Sequence, residues 1–187
     1  MIHPEMPEDA TNTVRKWGFK AIKNALVRRH IWNSREEAFA EFSSSPFYAA
    51  WDQDVLKSYI EHGLYETTIV TPSGETKRVA KLKCTPLNEA LVFAGGKVPI
   101  EGFACLPELD EQVRLHWIVS GAEGAPEFGP PGAQQERVWI RPKNSSNTRI
   151  TRAGHLVPQE GAKEFVQDII QFLERHYTSN RITRALL

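Results

Sequence analysis

Residues 147–173 constrain the fold more than any other stretch of the chain. Thr148 and Ile150 alternate as one face of a strand, Ala153-Gly154-His155 follows as a tight loop, and a helix opens with Pro158 at its start and Gln159 and Glu160 in its first turn. Ala162, Phe165, Val166, Ile169, Ile170 and Leu173 then repeat at the spacing of a single apolar helix face, which predicts that this face is buried. A strand, a glycine-histidine loop and a packed helix are how α/β proteins present an imidazole at the carboxyl end of a sheet. A lone loop histidine more often caps or hydrogen-bonds than catalyses, so His155 becomes a candidate base only if its surroundings support one.

A second strand pattern lies upstream. Val113, Leu115, Trp117 and Val119 alternate with Arg114, His116 and Ile118, and the run ends at Ser120-Gly121-Ala122-Glu123-Gly124. Between the two strands, Gly129-Pro130-Pro131-Gly132 and Val138-Trp139-Ile140-Arg141-Pro142 argue against an ordinary connecting helix. Residues 138–152 carry Arg141, Lys143, Arg149 and Arg152 without an acid. Trp139 beside them gives phosphate neutralisation and stacking as one reading, and a solvated basic surface as the favoured one.

The first half reads as helices with one hairpin. In residues 14–29, Trp17, Ala21, Ile22, Ala25 and Leu26 form an apolar stripe opposite Arg15, Lys16, Lys20, Lys23, Arg28 and Arg29. Such a basic helix suits a membrane surface or a calmodulin-like groove, and more commonly the solvated side of a packed helix. Ser34 with Glu37 forms a capping box for a short helix that Ser43-Ser44-Ser45-Pro46 ends. Asp52 caps the next helix, where Val55, Leu56, Tyr59 and Ile60 share a face and Gly63 supplies the stop. Extended runs at residues 67–70 and 78–83 flank Pro72-Ser73-Gly74-Glu75 as a hairpin. Thr85-Pro86 pairs an N-cap with a first-turn proline, and Gly95-Gly96 ends that helix. Residues 96–110 read mostly as loop.

Composition narrows the partners. With 23 basic and 23 acidic residues among 187, the chain carries no net charge, so no global field draws it to nucleic acid or to an anionic membrane. Its length suits one domain with a real core. No apolar run approaches the roughly 18 residues that span a bilayer, and the first twenty residues lack a signal peptide's apolar region. The cytoplasm is the expected compartment. Cys84 and Cys105 lack metal-ligand spacing and read as buried small apolar residues; neither a metal nor a cofactor is expected.

The block A-G-H-L-V-P-Q-E with its terminal helix resembles the end of an α/β-hydrolase, where the catalytic histidine follows the last strand. S-R-E-E-A at residues 34–38, P-F-Y-A-A-W-D at 46–52, V-L-K-S-Y-I-E-H-G-L at 55–64, V-A-K-L-K-C-T-P at 79–86 and R-L-H-W-I-V-S-G at 114–121 resemble pieces of the same superfamily in order, and the resemblance spans nearly the whole chain. It implies the C-terminal portion of an α/β-hydrolase fold: a helical lid with a small hairpin, two parallel core strands and a C-terminal amphipathic helix. The lid-like region covers residues 1–110, the core part 111–177, and a loose tail 178–187.

The resemblance implies His155 as general base and Glu123 as its orienting acid, with Glu127 as a fallback. Some relatives take the acid after the sixth strand, which points to Glu5. Met1-Ile2-His3-Pro4-Glu5 resembles the exit of that strand, with His3 and Glu5 near a pocket mouth; a frayed polar terminus is the competing reading. Phe47, Tyr48 and Trp51 become pocket-lining candidates beside their ordinary role in packing. The substrate of an intact relative is a small apolar ester or amide, with no nucleic acid and no membrane as partner.

The serine this machinery needs sits on a strained turn of G-x-S-x-G type. Ser43, Ser44 and Ser45 have no flanking glycines, Ser73 is in the hairpin turn, and Ser120 precedes Gly121 without a glycine two residues before it. The expectation is therefore the acid-base part of a serine hydrolase, truncated and inactive alone, with a complementary N-terminal half as its partner. The rival reading is a non-enzymatic binding module built from the lid and the terminal helix.

Overall fold

The computed structural model describes residues 8–95, 97–125 and 132–178. His3, Glu5, Glu127 and residues 179–187 lie outside the described residues. Two compact units divide the chain, Met1–Cys105 and Leu106–Leu187.

The first unit opens with α1 (Glu8–Val27) and a short strand, β1 (Ile31–Trp32). Helices α2 (Arg35–Ser44), α3 (Pro46–Ala49) and α4 (Gln53–Gly63) follow, then β2 (Leu64–Val70), β3 (Thr76–Leu82), α5 (Pro86–Ala94) and α6 (Lys97–Cys105). The three N-caps form as the sequence predicts, except that the Glu37 carboxylate, which would complete a capping box with Ser34, accepts from the Asn33 amide at 2.7 Å instead. Ser34 Oγ accepts from the Glu37 amide at 3.2 Å, Asp52 Oδ1 from the Asp54 amide at 2.9 Å, and Thr85 Oγ1 from the Asn88 amide at 3.2 Å. Strands β2 and β3 form the expected antiparallel hairpin, and Gly74 at φ 87 supplies the left-handed turn residue.

Strand β1 was not legible in two residues, Ile31 and Trp32, yet it joins the other side of β3 and gives the order β1-β3-β2. It carries Trp32 into a core with Ala38, Phe42, Leu56, Leu64 and Leu82. Half-buried Tyr48, Trp51 and Tyr59 ring that core, with Phe42 and Tyr48 centroids 4.5 Å apart. Helix α1 packs on α5 with Ala25 and Ala90 buried. Residues 97–105 are helical rather than loop: Pro99 falls in the first turn of α6, where its missing N–H leaves no intrahelical bond unmade. Cys84 and Cys105 are exposed, contrary to expectation: Cys84 lies in the link between β3 and α5, and Cys105 is the last residue of α6.

The second unit runs through a 3-10 turn (Leu106–Glu108), β4 (Leu115–Ser120), α7 (Ala133–Trp139), β5 (Ser145–Ile150), α8 (Val157–Glu160), α9 (Ala162–Leu173) and a π-helical turn (Glu174–Thr178). Strands β4 and β5 are parallel, paired from Leu115 with Ser145 to Ser120 with Ile150. A helix does occupy part of their connection, α7, so Val138 and Trp139 end a helix rather than extend a strand. Gly132 at φ 87 turns the chain into α7, whose Ala133 and Val138 are buried.

The expected terminal helix breaks in two at Gly161. A Cβ there would lie 2.9 Å from Ile150 Cγ2 and 3.2 Å from Ala153 Cβ, so the chain passes too close to the strand end for any side chain. The apolar face of α9 is only half covered. Phe165 packs on Ile150, Ala153 and Val157, while Val166, Ile170 and Leu173 remain 52%, 43% and 48% exposed. Two strands present too narrow a surface to cover a whole helix face.

Candidate functional site

The carboxyl ends of β4 and β5 converge on one carbonyl. The amides of Gly121 and Ala122 both donate to Ala153 O, at 3.2 and 3.1 Å, so the loops leaving the two strands are tied together. Gly121 is required for that approach: an added Cβ would lie 3.0 Å from both Ile150 O and Thr151 Cα. Ala153 is fully buried, and His155 follows two residues later as an exposed side chain, on the strand-to-helix loop the sequence predicts.

Glu160 holds that loop. As the last residue of α8, it turns its carboxylate back and accepts from the Gly154 amide at 2.6 Å and the Leu156 amide at 3.2 Å. The two bonds bracket His155, so one carboxylate fixes the backbone on both sides of the imidazole. A Cβ at Gly154 would lie 2.8 Å from Glu160 Oε2, so a side chain there would push aside the carboxylate that holds the loop. An acid in the first turn after a glycine loop is a visible sequence signal; its backward reach is not. Arg152 and Glu164 form a paired bridge at 2.5 and 2.6 Å just outside this loop, and that bond holds the Glu164 carboxyl below its ordinary range.

Glu123 lies just beyond β4, exposed, and makes no hydrogen bond or ion pair among the described residues. The structure therefore brings Glu123 and His155 to the same end of the strand pair without joining them by a hydrogen bond. Arg141, one of the four basic residues noted in the sequence, faces inward. It is 4% exposed and donates to Asp110 O at 3.2 Å and Val113 O at 2.8 Å, which anchors the approach to β4. Trp139 is exposed.

A second polar cluster occupies the amino end of the same strands. His116 and Ser146 are register partners, and Ser146 Oγ lies 2.7 Å from His116 Nδ1. His116 Nε2 lies 2.5 Å from Asp168 Oδ2 on α9, and Phe172 stacks on the imidazole with centroids 4.7 Å apart and planes 16° apart. A sequence search for glycine-flanked serines passes over Ser146.

In the first unit a cavity of about 540 Å³ is lined by Ala25, Arg28, Phe42, Phe47, Tyr48 and Phe93 among others. Phe47 and Tyr48 thus line a pocket, while Trp51 packs against Tyr48 and Tyr59. The charges at its wall are paired: Arg28 with Glu89 at 2.8 Å, and Arg29 with Glu37 and Glu41 at 2.5 and 2.6 Å. Burial pushes the Tyr48 phenol up to about 12. Among the described residues no group of three His, Cys, Asp or Glu side chains could hold a metal ion, and no helix is long and apolar enough to cross a membrane.

No protein-family profile matches the chain, and no curated protein matches its sequence. Among solved structures it is similar to the peroxisomal α/β-hydrolase Lpx1 of Saccharomyces cerevisiae, with a TM-score of 0.56 at 15% identity. The likeness covers 96% of this chain and 44% of that one, so the chain spans less than half the length of its structural neighbour. At that identity the likeness shows the fold: helices and strands with a small parallel sheet, similar to an α/β-hydrolase.

Proposed function

We propose that the chain supplies the acid-base part of an α/β-hydrolase, with His155 as general base and Glu123 as the carboxylate that orients it. The observation that carries this reading is the loop after β5, where Glu160 grips the Gly154 and Leu156 amides and presents His155 at the carboxyl end of a parallel strand pair. The fold of the structural neighbour and its greater length support a complementary N-terminal half that brings the nucleophilic serine.

In the assembled site His155 takes the serine proton as the hydroxyl attacks an ester carbonyl, and returns it to the leaving alcohol. Water activated by the same imidazole then releases the acid. Glu123 turns toward the ring when the site is complete. The first unit has the part of the lid that the resemblance implies.

The test is hydrolysis of a p-nitrophenyl ester. The chain alone gives no turnover that His155→Ala abolishes; a half carrying a strand and a G-x-S-x-G turn, encoded upstream of Met1 or recovered by pull-down, restores it on mixing. Turnover by the pure chain that disappears in His155→Ala overturns the reading. A second, non-enzymatic reading rests on the cavity, whose walls all come from the first unit. On that reading a small aromatic ester binds, Phe47→Ala weakens binding, and no added half produces hydrolysis.

A further inference from the structure

We propose that Ser146 is a nucleophilic serine, activated by His116, whose imidazole Asp168 orients, forming a second reactive site at the amino end of the strand pair. Three elements build it. The parallel register sets His116 of β4 directly beside Ser146 of β5, so both side chains leave the same face of the sheet. Helix α9 crosses that face and delivers Asp168, and Phe172 lies flat on the imidazole and fixes its plane.

The bonding pattern decides which nitrogen is the base. An ionised carboxylate only accepts, so Asp168 at 2.5 Å requires the proton on His116 Nε2. Nδ1 is then left with its lone pair, and the Ser146 hydroxyl at 2.7 Å donates to it. This is the tautomer a general base needs, chosen by the group behind the ring rather than by the serine in front. Compared with the usual triad, the two ring nitrogens exchange places; proton transfer needs only a lone pair on one and an N–H on the other.

His116 and Asp168 side chains are 12% and 16% exposed, and Ser146 is half-buried, so the chain of groups is shielded yet reachable.

The substrate class is a small carboxylic ester. Ser146 Oγ forms a bond to the carbonyl carbon while its proton passes to His116 Nδ1, and the imidazolium is stabilised by Asp168. The adduct collapses by breaking the bond to the alcohol oxygen, which leaves with the proton from His116. Water repeats the sequence on the acyl-serine, so the products are one acid and one alcohol. This site needs neither His155 nor a partner half. A clamp that merely fastens strand to helix would share the same hydrogen bonds without reactivity, and the experiment separates the two.

The intact chain is treated with a fluorophosphonate probe, which loses fluoride as a serine oxygen bonds to phosphorus, and the adduct is located by peptide mass spectrometry. The expected result is a stoichiometric adduct on Ser146. It is absent in Ser146→Ala and unchanged in Ser145→Ala, the adjacent serine whose side chain leaves the opposite face. His116→Gln slows labelling at least about 100-fold. Asp168→Asn also slows it, and Asp168→Glu recovers part of the rate, which a purely structural clamp would not produce. Circular dichroism identifies variants that fail to fold; if His116→Gln is among them, the Asp168 pair and the wild-type chain decide. An unlabelled Ser146 in the wild-type chain, or equal labelling rates in folded His116→Gln, overturns the proposal.

Discussion

Glu160 is the residue on which the candidate loop depends. Removing its carboxylate leaves the Gly154 and Leu156 amides without partners, and half-buried amides stripped of acceptors cost about 1–3 kcal/mol. Glu160→Ala is expected to lower stability by that order and to speed hydrogen exchange at those two amides, measured by NMR. Tyr48 gives a different test. Its phenol is raised to about 12 by burial, so the unfolded chain loses this proton first as the pH climbs above about 10. Stability from this group is constant below pH 10 and is lost between 10 and 12. Absorbance titration of the folded chain should show a tyrosine step near pH 12 that Tyr48→Phe removes, alongside the Tyr59 phenol that burial also raises.

At the scale of elements, the hydrogen-bonding of short connections carries more than propensity does. The approach to β4 is anchored by Arg141, whose guanidinium serves the carbonyls of Asp110 and Val113. Arg141→Met preserves the side chain's bulk and leaves both carbonyls without that donor. The expected loss is about 1–3 kcal/mol, read from chemical denaturation. The same change to Arg149, an exposed strand position, should shift stability by less than about 0.5 kcal/mol. Capping serine, threonine and aspartate were legible because a cap is a local interaction over two or three residues. Arg141 was not, because its partners lie about thirty positions away in sequence and only the fold brings them together.

At the scale of the molecule, the uncovered half of α9 is the feature that a complementary chain would bury. Val166, Ile170 and Leu173 make few demands on the folded unit, so Ile170→Lys is expected to leave circular dichroism and unfolding temperature nearly unchanged. If the proposed half completes the sheet beneath α9, the same substitution prevents restoration of ester hydrolysis on mixing. Restoration that survives Ile170→Lys places the half elsewhere. The exposed face also shows why hydrophobic periodicity misled: period specifies that a helix has an apolar side, whereas burial depends on how many strands lie beneath it.

The sequence by itself determined the short-range elements: the caps at Ser34, Asp52 and Thr85, the hairpin around Gly74, the two strand patterns, and a glycine-histidine loop before a helix. These are set by turn chemistry and by spacing within a few residues. Only the tertiary structure decided that β1 pairs with β3, that a helix lies between β4 and β5, and that the terminal helix breaks at Gly161 against Ile150. It likewise decided that Ser146, His116 and Asp168 meet. Their contact needs the parallel register of two strands and the crossing of a third element, and no pattern along one chain segment encodes that coincidence.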